Sequence, residues 1–169
     1  MLNKMGLDKD LLEEEEVLKF FEENSAICDE LIADKLEFPD IFDYKHKIDL
    51  AVEELGLDDE LINKLTEDYV AQIIRSEVLF LQYLNKLKEQ KKHHEKLDYT
   101  SFRELAHKNL GVARNLRIED GKKLLQELMV EDDLEHLETC LKALVACAVK
   151  LKPKLAYDTL NLIKIKSKI

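Results

Sequence analysis

Apolar residues recur at every third or fourth position through most of this 169-residue chain, and few residues interrupt them. That spacing is the period of an α-helix with one buried face. The sequence has only four glycines and two prolines, which leaves little material for turns. Its β-branched residues are scattered and do not alternate with polar residues as they do in strands. We therefore predict an all-α protein.

The periodic segments predict an antiparallel four-helix bundle with an extra N-terminal helix. The four principal helices are expected near residues 58–92, 98–117, 119–130 and 132–152. Their joints are short and polar, which favours antiparallel neighbours.

Acidic residues and a glycine mark the expected helix ends. Gly56 suits the end of a short helix over residues 44–55. Asp98 is expected to cap the second principal helix. Asp132 with Glu135 is expected to form a capping box at the start of the last one.

Charge divides the chain into an acidic N-terminal extension, the predicted bundle and a basic tail, at residues 1–40, 41–152 and 153–169. Residues 1–43 hold fourteen acids against four lysines, and the whole chain has a net charge of −10. We expect a helix over residues 8–37, capped by Asp8, that packs on the bundle, pairs with another copy or binds a partner. The lysine-rich tail is expected either to be solvated or to dock on the acidic front end.

Several classes of partner are not expected. No broad basic face with interleaved aromatic residues occurs, which argues against nucleic-acid binding. No apolar run is long enough for a membrane span. The N-terminus is acidic and lacks a signal-peptide pattern, so a cytoplasmic location is expected.

No metal site is expected either. Cys28, Cys140 and Cys147 lack metal-ligand spacing and are interpreted as small buried apolar residues in a reducing compartment. His93 and His94 are adjacent, so they point about 100° apart on a helix, which is poor geometry for sharing one ion. His136 is expected to be an exposed helix residue.

The candidate site lies in residues 98–118. If this segment is wound as a helix at about 100° per residue, His107 falls almost opposite the core-facing stripe of Phe102, Leu105, Ala106, Asn109, Val112, Ala113 and Leu116. Arg103 lies one turn before His107 and Arg114 two turns after it. Leu110 and Gly111, one turn after His107, are expected to flank the same outer face.

Gly111 favours a contact surface over a merely solvated one. Glycine inside a helix costs about 1 kcal/mol relative to alanine, and it is tolerated where a partner must come close. Leu110 would add an apolar contact there. An exposed histidine between arginines is also typical of an ordinary solvated face. Either interpretation predicts His107 exposed and Phe102, Leu105, Val112 and Leu116 buried.

The site resembles the active-site helix of the histidine-containing phosphotransfer (HPt) domains of multistep phosphorelays, in the segment HKNLGVARNL at residues 107–116. That family's motif is roughly His-x-Leu-Lys-Gly-Ser/Ala-Ala/Ser-x-x-Leu-Gly. The chain supplies the histidine, the glycine, a small residue and the later leucine. It departs from the motif with Asn109 for leucine, Leu110 for lysine and Arg117 for glycine. The resemblance covers roughly residues 42–151.

The resemblance implies a phosphocarrier rather than a stand-alone enzyme. His107 would accept a phosphoryl group from the aspartate of a receiver domain, in a response regulator or hybrid histidine kinase, and pass it to another receiver. Gly111 would leave room for the receiver loop, and Leu110 would belong to the docking patch. Arg103, Lys108 and Arg114 would offset phosphate charge. No cofactor is implied on this chain, and Mg²⁺ is expected on the partner receiver domain.

Two alternatives remain open from the sequence. In the first alternative, the chain is a degenerate HPt-like module that docks a receiver or kinase without phosphotransfer. Leu110 in the lysine position favours this alternative. Otherwise it is a helical dimerisation domain that self-associates through residues 8–37.

Overall fold

The computed structural model describes the backbone of residues 2–42 and 44–167 and the side chains of residues 11–42 and 44–166. Within these residues the chain forms helices and no strand, which confirms the predicted all-α class. The helices are α1 Leu2–Glu30, α2 Ile48–Leu55, α3 Asp59–Lys92, α4 Thr100–Asn115, α5 Glu119–Val130, α6 Leu134–Leu151 and α7 Pro153–Ser167. None of these helices is long and apolar enough to cross a membrane.

The predicted bounds of α3 to α6 agree with the structure to within two residues at each end. The short helix was placed too early: α2 begins at Ile48, because the chain before it is extended at Lys47. Tyr44 is instead held by a hydrogen bond of 2.8 Å from its hydroxyl to the Arg117 carbonyl.

Side-chain caps and left-handed residues set several of the helix ends. Gly56 ends α2 with φ +69°, as its position after an apolar helix predicts. The Asp58 carboxylate starts α3 by accepting a hydrogen bond of 2.8 Å from the Leu61 amide. The capping box predicted for α6 was wrong by one residue. The cap is Asp133, whose carboxylate accepts from the His136 amide at 3.0 Å.

Helices α3 to α6 contact one another in order. α3 packs against α4, α4 against α5, α5 against α6, and α6 returns to α3. Their facing sides bury large apolar residues, among them Phe80, Phe102, Leu124, Leu128, Leu137 and Leu144. The rings of Phe80 and Phe102 meet edge to face with centroids 5.2 Å apart, which fixes how α4 lies on α3.

The N-terminal helix is longer than predicted at its start. α1 begins at Leu2, so Asp8 lies inside it rather than at its cap, and it continues beyond Glu30 into a π-helical turn at Leu31–Lys35. α1 packs against α6 and α7. The packing alternative for this segment is therefore confirmed.

The basic tail docks on the acidic front end. α7 begins with Pro153 at its first position, where proline is well tolerated. Lys154 forms an ion pair with Glu13, and the Tyr157 hydroxyl donates to the Glu16 carboxylate. Of the two alternatives for the tail, docking on the N-terminal segment is the one that the structure supports.

Candidate functional site

The helix that carries His107, α4, is anchored at its start. The Asp98 carboxylate accepts a hydrogen bond of 3.0 Å from the Thr100 amide. Hydrogen bonds from Thr100 lower the pKa of Asp98, because they favour the charged carboxylate. The Tyr99 hydroxyl donates to the Asp132 carbonyl at 2.8 Å, which ties the start of α4 to the joint between α5 and α6.

A left-handed residue ends α4. Arg117 has φ +61°, and the Ile118 amide donates to the Ala113 carbonyl at 2.9 Å while the Arg117 amide donates to the Arg114 carbonyl at 3.2 Å. These two bonds form a Schellman motif, whose left-handed residue is usually glycine. The Arg117 side chain forms an ion pair with Glu54 on α2.

His107 lies at the middle of α4, as the eighth of its sixteen residues. Its side chain is exposed, which confirms the prediction that it points away from the core. No hydrogen bond or ion pair joins the ring to another residue among the side chains that the structure describes. The imidazole is therefore free to meet a group from outside the chain.

Gly111 lies one turn after His107 and is also exposed. A Cβ atom built at this glycine would meet no atom within 4 Å. Packing inside the chain therefore gives no reason for a glycine at this position, although glycine weakens the helix. The open space beside His107 lies on the solvent side of α4.

Cations surround His107 unevenly. Lys108 and Arg114 are exposed, and Lys108 lines a groove of about 660 Å³ between α3, α4 and α7. Arg103 is half-buried, with its guanidinium carbon 4.6 Å from the centre of the Tyr99 ring. Its Nε is buried without a hydrogen-bond partner in the described part of the chain. Arg114, two turns from His107, is thus the predicted cation that is both exposed and aligned with the histidine.

Leu110 does not belong to the outer face, and its predicted place in a docking patch was wrong. Its side chain is only 4% exposed and belongs to the core. Leu105 and Val112, which were expected to be buried, are half-buried instead. The buried arc of α4 is therefore turned toward Leu110 relative to the stripe read from the sequence, because α4 packs against both α3 and α5.

Asn109 is fully buried and its amide group is satisfied. Its oxygen accepts from the Gln72 amide at 3.0 Å. Its nitrogen donates to the Ser76 hydroxyl at 3.2 Å and to the Leu105 carbonyl at 3.0 Å. A buried polar side chain costs stability unless it is paired in this way. The network fixes α4 on α3, so it sets the orientation in which His107 faces outward.

One cluster of reactive side chains was missed from the sequence. His136, expected to be exposed, is half-buried, with its Nε2 3.0 Å from a carboxylate oxygen of Glu127. Glu131 and the Cys140 thiol lie beside it. The sequence signal for this cluster is two pairs of residues, each with a spacing of four, on either side of a short joint: Glu127 with Glu131, and His136 with Cys140.

The arrangement around His107 offers a single exposed nucleophile without a catalytic partner of its own. An imidazole of this kind can form a covalent intermediate, provided that another domain supplies the rest of the chemistry. No protein-family model, curated protein or solved structure gives a significant match to this chain.

Proposed function

We propose that this chain is a phosphorelay intermediate, an HPt-like phosphocarrier that accepts a phosphoryl group on His107 from a receiver-domain aspartate and passes it to another receiver. One observation carries the proposal: His107 is exposed at the middle of a helix, next to the open space at Gly111. A group that must enter the pocket of another domain has to stand clear of its own.

The packing of the helices supports the same proposal. Helices α3 to α6 contact one another in a closed order, which fits the antiparallel four-helix bundle of the HPt family. On this account α1, α2 and α7 are additions around that bundle. We propose the cytoplasm as the compartment, which suits the three free cysteines and cytoplasmic receiver domains.

The transfer step needs little from this chain beyond position. A ring nitrogen of His107 attacks the phosphorus of the aspartyl phosphate, a new N–P bond forms, and the P–O bond to the aspartate breaks. The carboxylate is the leaving group. The receiver brings the Mg²⁺ that neutralises the phosphoryl oxygens. The reverse step returns the group to the aspartate of a second receiver.

Local charge favours an incoming phosphoryl group. Residues 101–117 hold four arginines and lysines against the single acid Glu104, in a chain whose net charge is −10. A local positive field of this kind attracts a negatively charged ligand. Arg114 and Lys108 supply its exposed part. Arg103, stacked on Tyr99, contributes charge from a fixed place.

A second function is favoured by Leu110. The HPt motif has a lysine at this position, and here a buried leucine occupies it, so the cation that the motif supplies from this position is missing. The alternative is a module that docks a receiver or kinase through the surface around Gly111 without carrying phosphate. This alternative and phosphotransfer use the same face of α4 and differ only in whether His107 is modified.

The test is incubation of the chain with phosphorylated receiver domains from the same genome, followed by measurement of label on each protein. The wild-type chain should take up label, and a His107→Gln variant should take up none. His93→Gln is the matched control, because His93 is also exposed but lies outside α4. Equal labelling of wild type and His107→Gln would reject His107 as the acceptor. Binding of the receiver without any labelling would favour the docking-only function.

A further inference from the structure

The joint between α5 and α6 brings four potential metal ligands together. Glu127 lies in the last turn of α5 and Glu131 directly follows that helix. His136 and Cys140 lie in the first two turns of α6. Residues four apart share one face of a helix, so each helix presents a pair, and the short joint turns the two pairs toward each other.

Three of the four ligand atoms are close enough to share one ion. One atom each from Glu127, Glu131 and His136 lie within 4.8 Å of one another. His136 Nε2 is 3.0 Å from Glu127 Oε2 and 3.5 Å from Cys140 Sγ. Around a tetrahedral ion with bonds of about 2.0–2.3 Å, neighbouring ligand atoms are about 3.3–3.8 Å apart. Glu127, Glu131 and His136 therefore need only small movements to share an ion, and the Cys140 thiol, which lies outside that group, has to move toward the carboxylates to join them.

His136 Nε2 faces both the Glu127 carboxylate and the Cys140 thiol. In neutral imidazole this nitrogen either donates one proton to the carboxylate or offers its lone pair to the thiol, and it does not do both. A cation bound to that lone pair would also be contacted favourably by the carboxylate and, once it is deprotonated, by the thiol.

We propose that Glu127, Glu131, His136 and Cys140 form a site for one divalent ion of the Zn²⁺ class. The mixture of imidazole, thiolate and carboxylate is a donor set that Zn²⁺ accepts, whereas Mg²⁺ and Ca²⁺ prefer oxygen ligands. The proposal departs from the expectation, drawn from residue spacing, that the chain has no metal site. The proposal is independent of phosphotransfer at His107.

Two neighbouring features weaken metal binding without preventing it: an ion pair of Glu127 and the raised pKa of the Cys140 thiol. Lys123 Nζ lies 3.3 Å from Glu127 Oε1, which is the oxygen that does not face His136. Burial, with the nearby carboxylates of Glu127 and Glu131, raises the pKa of Cys140 to about 12. The thiol must therefore lose its proton as the ion binds, as metal-bound thiols do.

A bound ion would fasten α5 to α6 and act on α4 as well. Asp132, beside Glu131, accepts the hydrogen bond of the Tyr99 hydroxyl at the start of α4. Because an ion that binds the folded state and not the unfolded state stabilises the fold, saturating Zn²⁺ should raise Tm by several degrees.

The experiment titrates the purified, metal-free chain with Co²⁺, a spectroscopic substitute for Zn²⁺. We expect saturation at one ion per chain, with the visible bands of tetrahedral Co²⁺ and a near-ultraviolet thiolate-to-cobalt charge-transfer band. Adding Zn²⁺ should remove both. Cys140→Ser should lose the charge-transfer band, and Glu131→Gln should bind at least tenfold more weakly. Cys147→Ser is the matched control and should keep the band, because Cys147 contacts Cys28 instead.

Three results would overturn the proposal. The first is an absence of saturable binding by Co²⁺ and Zn²⁺ in a chain whose circular dichroism shows it to be folded. The second is unchanged affinity in both Glu131→Gln and His136→Ala. The third is the same charge-transfer band in Cys140→Ser as in wild type, which would place the bound ion on another cysteine.

Discussion

Replacing Gly111 by alanine should stabilise the chain, because nothing in its fold requires a glycine there. Gly111 is in the interior of α4 and exposed, and an added Cβ would meet no atom within 4 Å. Alanine at such a position is worth about 0.5–1 kcal/mol, through helix propensity and the lost freedom of the unfolded chain. For a chain of this size the rise in Tm is about 1–4 °C.

Gly121 provides the matched control on the neighbouring helix. A Cβ atom there would overlap the hydroxyl of Tyr69, and Tyr69 is only 2% exposed, so its ring has no room to move. Gly121→Ala should therefore destabilise the chain by about 1–3 kcal/mol, as overpacking of a core does. The comparison thus distinguishes Gly121, where packing inside the chain requires a glycine, from Gly111, where the space for a side chain is open to solvent.

The functional half of this prediction uses a larger side chain. Gly111→Gln should also stabilise α4, since glutamine is a good helix former, but it fills the space beside His107. Urea unfolding followed by circular dichroism gives the stability, and label transfer from a phosphorylated receiver gives the function. Loss of stability in Gly111→Ala would refute the structural reasoning. Undiminished transfer by a folded Gly111→Gln protein would refute the docking role.

Three further substitutions test the frame that holds α4. Arg117→Gly should stabilise the chain by about 0.5–1 kcal/mol in thermal unfolding. Glycine relieves the strain of the left-handed backbone, which is worth about 1–2 kcal/mol, and this gain exceeds the loss of an exposed ion pair. Asn109→Ala should destabilise it by about 1–3 kcal/mol in urea unfolding, because its buried partner Ser76 loses a hydrogen bond. Burial raises the pKa of Asp120 above its ordinary value of 3.8, so the folded state holds this proton more tightly than the unfolded state does. That contribution to stability is lost as pH rises from about 3.8 through the raised pKa, and Asp120→Asn should remove the loss when unfolding midpoints are compared at acidic and neutral pH.

Helix periodicity predicted much of this fold because most of the chain is helix with one apolar face. The bounds of α5 were predicted to the residue, since acids at its start and a polar joint at its end leave few alternatives. The start of α1 was not predicted, because Asp8 suits a helix cap while propensity alone allows the helix to extend back to Leu2. Local sequence does not decide between the two.

The candidate site was predicted in part. The exposure of His107 could be predicted from the helical periodicity of α4 alone, because a residue opposite the apolar stripe faces solvent. Leu110 lies about 60° around that wheel from His107, where a second neighbouring helix decides whether a residue is covered. The cluster around His136 depends on how the α5–α6 joint folds back, which is tertiary information that residue spacing suggests only in retrospect.

The most direct measurement of the central claim locates the phosphoryl group on this chain after incubation with a phosphorylated receiver. The account predicts one group per chain, a ³¹P resonance of a phosphoramidate, and label that is lost in acid and kept in base. Peptide mapping should find it on the peptide that contains His107. An acyl phosphate, or a phosphoramidate on any histidine other than His107, would contradict the account.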